Sequence, residues 1–131
     1  MTDFTNLPDR ALSIRQPWAW AILNAGKRIE NRPQRWKYRG PICIHASLYK
    51  NGKDYAEASN FIWEQYQMDS PYDLDVYRGG IIGTAEIVDV VTESDSPWFF
   101  GPYGYVLDNV QPLPFIPVKG ALGLFRWKEK M

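Results

Sequence analysis

Residues 81–91, entered through Gly79-Gly80, constrain the fold of this chain more than any other segment. They read Ile-Ile-Gly-Thr-Ala-Glu-Ile-Val-Asp-Val-Val, rich in β-branched side chains whose stiff χ1 suits a pleated strand. Alternation along the run is imperfect, with Ile82, Thr84, Glu86 and Val88 on one face and Ile81, Gly83, Ala85 and Ile87 on the other. That pattern predicts a long strand buried in part on both faces, and such a strand belongs inside a sheet.

Other segments can supply its companions. Residues 11–15 read as a short strand with Leu12 and Ile14 inward, broken by Gln16-Pro17. Pro17 suits the first position of a helix over 18–25, where Trp18, Ala21, Ile22 and Ala25 share one apolar face and Gly26 is the stop. Residues 28–32 should be extended, 34–39 form a basic loop, and 42–46 form a strand. A second helix is expected over 53–68, with Ala58, Phe61, Ile62 and Tyr66 on one face, followed by an acidic, turn-rich stretch over 69–77. Residues 97–104 are an aromatic loop and 105–110 a strand; Pro112, Pro114 and Pro117 forbid regular central pairing beyond it. A last strand is expected over 120–127. The expected class is α+β, a small mixed or closed β-barrel with helices at its rim.

With 131 residues, 45% hydrophobic and 23% charged, the chain is a globular domain. Six Trp, eight Tyr and six Phe are more rings than a core of this size encloses, so some should serve as stacking faces. Trp20, Phe61, Trp63 and Phe125 are expected to be partly buried packing residues. Cys43 is the only cysteine, which excludes an internal disulfide. The opening MTDFTNLPDR has no signal pattern and no apolar run reaches a membrane span, so the expected location is the cytoplasm, with no membrane partner. One His and one Cys cannot build a zinc site; no metal or cofactor is expected.

A formal net charge of zero conceals a strong partition. Residues 1–53 hold ten Lys or Arg against three acids, 54–112 hold one Arg against eleven acids, and 113–131 hold four bases against one acid. Such asymmetry gives one face a field suited to a polyanion, unless complementary surfaces pair within the fold. The densest cluster is Lys27-Arg28-Ile29-Glu30-Asn31-Arg32. In an extended chain Arg28, Glu30 and Arg32 share a face, and Glu30 could fix the guanidinium forks for a phosphate or base edge. The same residues could equally form a surface ion-pair ladder of little consequence. Trp36 and Tyr38 alternate with Arg35, Lys37 and Arg39, an interleaving that suits single strands or extruded bases. The aromatic loop could add a wall to such a pocket. A lone His such as His45 is more often structural than catalytic, and Ser47 lacks the glycine-flanked turn of an activated nucleophile.

Four motifs carry a family resemblance. Leu12-Ser13-Ile14-Arg15-Gln16-Pro17-Trp18-Ala19, then Lys27, Glu30 and Arg32, then Tyr38-Arg39-Gly40-Pro41, then Ile44-His45-Ala46-Ser47 resemble the ASCH domain family, as do Gly80–Ala85 and 120–124. The glycine that opens the family's G-x-K-x-x-E-x-R motif is Ala25 here, with Gly26 one place later, and Trp36 is displaced from the position after the arginine. The resemblance implies one PUA-like β-barrel domain over 10–131, after an extension over 1–9, with a charged cleft between barrel and helix. It implies nucleic-acid binding, to RNA or a single-stranded or modified nucleotide. Lys27 and Arg32 would contact phosphate or base and Glu30 would orient them, with Gln16, Trp18, Arg35, Arg39, His45 and Ser47 as further binding residues. The alternative is a metal-independent ribonuclease or nucleoside-processing hydrolase, using Lys27, Glu30 or Lys53 with Tyr49, Ser47 or His45. The family's acetylcytidine amidohydrolases pair a Lys with a Thr nucleophile; Glu30 stands at that place, which argues against their chemistry. A third reading has the acidic 54–112 block docking a basic protein.

Overall fold

A computed structural model describes residues 3–131. Six strands form one sheet: β1 (Arg10–Ile14), β2 (Ile29–Arg32), β3 (Gly40–Ala46), β4 (Gly80–Val91), β5 (Tyr103–Pro117) and β6 (Leu124–Arg126). Their spatial order is β2-β5-β4-β3-β1-β6, antiparallel except for the parallel β1/β3 pair. The sheet curls into a half-barrel flanked by two helices, α1 (Trp18–Asn24) and α2 (Gly52–Tyr66), a small α+β PUA-like fold. The β-branched run is β4. It pairs with β3 on one side and β5 on the other, and its apolar side chains enter two core clusters, Ile82, Ala85, Ile87 and Val90 in one and Ile81 in the other.

Two strands differ most from expectation. β5 runs through Pro112 and Pro114 to Pro117 instead of ending at Val110. Its second neighbour, β2, pairs only with 103–106, so the proline segment has a strand on one flank alone. Prolines are tolerated there because no ladder partner needs the missing N–H. Register also jumps from Ile81↔Ile116 to Gly83↔Pro112, which leaves Pro114 in an irregularity. At the other end, β6 covers only Leu124–Arg126; residues 119–123 are a loop, and Trp127–Lys130 is a 3-10 turn.

Helix α1 follows its predicted face closely. Ala21, Ile22 and Ala25 are buried, Trp18 partly so, and Gly26 follows the helix in the left-handed region (φ 69°). Pro17 is the N-cap rather than the first helical residue. Gln16 Oε1 accepts from Trp20 N at 2.8 Å, and its Nε2 donates to Tyr77 O at 3.0 Å. Helix α2 is capped by Asn51 Oδ1, which accepts from Lys53 N and Asp54 N. It buries Tyr55, Ala58 and Ile62; Phe61 is partly buried. Trp63, one helical step beyond Ile62, is turned out and 47% exposed, contrary to its expected packing role. Trp20 is partly buried and Phe125 buried.

Residues 4–9 lie across a second core cluster. Phe4 meets Trp127 at 5.5 Å, and Trp127 Nε1 donates to Pro8 O at 2.7 Å. Cys43 is buried in the same cluster, and burial pushes its thiol up to about 12. Among the described residues, no helix is long and apolar enough to cross a membrane.

Candidate nucleic-acid interface

The two ends of a curled sheet face each other, and here a side chain spans the gap. Arg32 on β2, at one end of the strand order, donates from Nη2 to Ser13 O on β1 near the other end, at 2.6 Å. Around that bridge lies a cleft of about 640 Å³. Its walls come from 13–18, 30–33, 45–49 and the loop 119–123.

The floor is an ion network. Glu30 Oε1 lies 3.1 Å from Lys27 Nζ, and Glu30 Oε2 lies 3.0 Å from Arg32 Nε. Lys27 also donates to Ile29 O and is 2% exposed, so it sits behind Glu30 rather than on the cleft wall. The carboxylate between two cations is therefore present, but Lys27 takes the place expected for Arg28. Arg28 precedes β2 and turns away, donating to Ile22 O at 2.8 Å. Arg32 lines the cleft, and its Nη1 makes no hydrogen bond among the described residues. A guanidinium held on one edge and open on another is preorganised for an anion.

Beside the network, β1 and β3 place Ser13 and His45 opposite each other in parallel register. His45 Nε2 lies 2.7 Å from Val118 O. A carbonyl only accepts, so Nε2 carries the proton, and in the neutral ring Nδ1 accepts from Ser13 Oγ at 3.0 Å. Burial keeps the ring neutral by lowering its pKa, opposed by the bond to Val118. The loop backbone passes close above this pair: a Cβ on Gly120 would stand 2.8 Å from His45 Cε1 and 3.2 Å from Ser13 Oγ. A hydroxyl donating to a neutral imidazole is also the pairing from which a nucleophile can be activated.

The rim is cationic and aromatic. Arg15 lies over the Tyr49 ring, 4.3 Å from its centroid, and Lys119 enters from the loop. Trp18 meets Phe61, Trp98 and Phe100 edge-on at 6.0, 6.3 and 6.0 Å. Asn31 fixes that aromatic loop: its Nδ2 donates to Trp98 O at 2.9 Å, and its Oδ1 accepts from Phe100 N and Gly101 N. Trp98 is buried against a stacked Tyr66 at 4.4 Å, so it supports Trp18 and does not wall the cleft.

Of the residues expected at the site, the cleft brings together Trp18, Glu30, Arg32, His45, Ser47 and Tyr49. Gln16, Arg35, Arg39 and Lys53 lie outside it. Gln16 is buried and occupied with the start of α1, and Arg39 Nη1 donates to the carbonyls of its own loop, Trp36 O and Tyr38 O. Trp36 turns inward against Tyr105 at 5.0 Å. Sequence reasoning missed Ser13, Arg15, Asn31 and 119–123. Among the described residues, no three His, Cys, Asp or Glu side chains group as a metal ion would need.

A family model described as ASCH domain matches residues 12–106 of the chain. That span holds every cleft residue except those of the 119–123 loop. No curated protein matches the chain.

Proposed function

The chain belongs to the ASCH domain family, and on that premise we propose that its cleft binds nucleic acid, with RNA or a single-stranded or modified nucleotide as the ligand. The family is generally regarded as an RNA-binding, PUA-like module. The observation that carries the reading is the wall composition: Arg15, Arg32 and Lys119 surround Trp18 and Tyr49 in one cavity of about 640 Å³. Cations answer phosphates, rings offer stacking faces, and the volume suits a small ligand, within the roughly 300–1,000 Å³ range of such pockets. Arg32 is the principal phosphate or base contact, with Glu30 and Lys27 holding it in place.

The test is a salt titration of single-stranded RNA binding. Affinity should fall linearly on logarithmic axes, by about 0.7 in slope for each phosphate neutralised on a single strand. Lys119→Ala with Arg15→Ala should flatten that slope. Affinity that stays constant from low to high salt rejects the electrostatic basis of the proposal.

Hydrolysis of a nucleic-acid or nucleoside ligand in the same cleft is a second reading, favoured by the Ser13–His45 hydrogen bond. His45 Nδ1 is placed to take the Ser13 proton, whereas Lys27 is enclosed in its ion pair and Lys53 lies outside the cleft. Turnover of labelled RNA in chelator that is lost in Ser13→Ala and in His45→Gln would establish it. Binding without turnover leaves the binding reading alone.

A further inference from the structure

A second, shallower groove of about 300 Å³ adjoins the cleft, and the two share Arg15 and Trp18 as their common ridge. Phe61 and Phe100 form its aromatic surface, and Asp54 and Glu57, two turns and one turn before Phe61 on the same face of α2, continue that side of the groove as carboxylates. Phe100 is 55% exposed although its backbone is pinned by Asn31 Oδ1, 2.8 Å from Phe100 N. It contacts Trp18 and Phe61 only edge-on, at 6.0 and 5.4 Å. A large ring on a pinned backbone and open to water offers a stacking surface.

Arg15 stands between the two hollows. It is exposed, and its side chain makes no hydrogen bond or ion pair among the described residues; its guanidinium lies over the Tyr49 ring. Aromatic surface, a single cation, then aromatic surface is the order in which a base, a phosphate and a second base occur along a strand. Asp54 and Glu57 set a limit beyond that second base. Carboxylates along that helix face accept hydrogen bonds from base amino groups but repel the next phosphate.

We infer that the ligand is a dinucleotide step, with the first base in the main cleft, the internucleotide phosphate on Arg15 and the second base against Phe100, and that the acidic helix face ends the footprint there. This rests on the nucleic-acid-binding reading and adds a length to it. The ligand is then the end of a strand, or a strand that turns away after the second base.

A length series tests it, using a mononucleotide and single-stranded oligonucleotides of two, three and four residues titrated calorimetrically at fixed salt. The dinucleotide should bind tighter than the mononucleotide by about 5- to 150-fold, the range of one base–aromatic stack, and longer oligomers should gain little more. Phe100→Ala should abolish the dinucleotide's gain, and Phe100→Tyr, which keeps the ring, should retain it. Asp54→Asn with Glu57→Gln should let three- and four-residue oligomers gain over the dinucleotide. A dinucleotide no tighter than the mononucleotide, or a gain indifferent to Phe100→Ala, overturns the inference and leaves the function standing. Failure of every length to bind overturns both.

Discussion

Residues 27–32 and 34–39 are adjacent in the chain and each holds three basic side chains, yet the fold treats them in opposite ways. In the first, β2 pairs with β5 through Glu30↔Tyr105, and the pairing draws Glu30 and Lys27 under the cleft while Arg32 reaches across it. The second joins no strand. Its bases Arg35, Lys37 and Arg39 are exposed, and its rings Trp36 and Tyr38 pack against the core. A basic run becomes a site where a strand fixes its direction and a carboxylate fixes its cations. Without those, the charges go to water and the rings go inward.

The largest expected effect lies in the first segment. Glu30→Ala leaves Lys27, 2% exposed, without its counter-charge. Breaking a buried pair from one side should cost about 3–5 kcal/mol in urea unfolding. A loss below about 1 kcal/mol, ordinary for an exposed pair, would remove the distinction between the two segments.

How far the sequence could foretell this division depends on the range of the forces involved. Helix α1 and strand β4 were legible because their signals are local, a 3.6-residue stripe and a β-branched run. Ser13 was not. Its role comes from lying opposite His45, and that depends on β1 pairing with β3, which no local pattern encodes. Residues 120–123 were lost in a strand drawn too long, because a loop lining a cleft and a strand entering a core share the same small apolar residues. Gln16 was expected at the site from the family resemblance; the backbone turn at Pro17 sends its amide to the start of α1. Arg28 and Lys27 exchanged places for a similar reason, since β2 begins one residue later than its composition implies.

A smaller effect comes from acidification, which acts on the cleft side alone. His45 is the chain's only histidine, and burial lowers its pKa in the folded state. The unfolded chain keeps an ordinary value of about 6.5. Between the two values the unfolded chain binds a proton that the folded one does not, so stability is complete above about pH 6.5 and declines as pH falls below it. The slope from one such group cannot exceed about 1.4 kcal/mol per pH unit. Thermal melts from pH 7.5 to 5.5 should show the decline in the wild type and a flat profile in His45→Gln. A wild-type profile as flat as the variant's would mean that His45 is solvated and that Gly120 does not close over it.

The smallest effect is expected in the second segment. Arg35→Ala and Arg39→Ala should each change stability by less than about 0.5 kcal/mol, because both side chains are exposed. Arg39 bonds only to carbonyls that water can serve equally well. The Arg32 guanidinium of the first segment lies 6.0 Å from the centroid of the Trp36 ring in the second. A ligand confined to the cleft would sense the loop only through that ring. Dinucleotide affinity should therefore be the same in Arg35→Ala, Arg39→Ala and wild type, measured at one salt concentration. A fall in dinucleotide affinity of tenfold in either variant would place the loop within the interface.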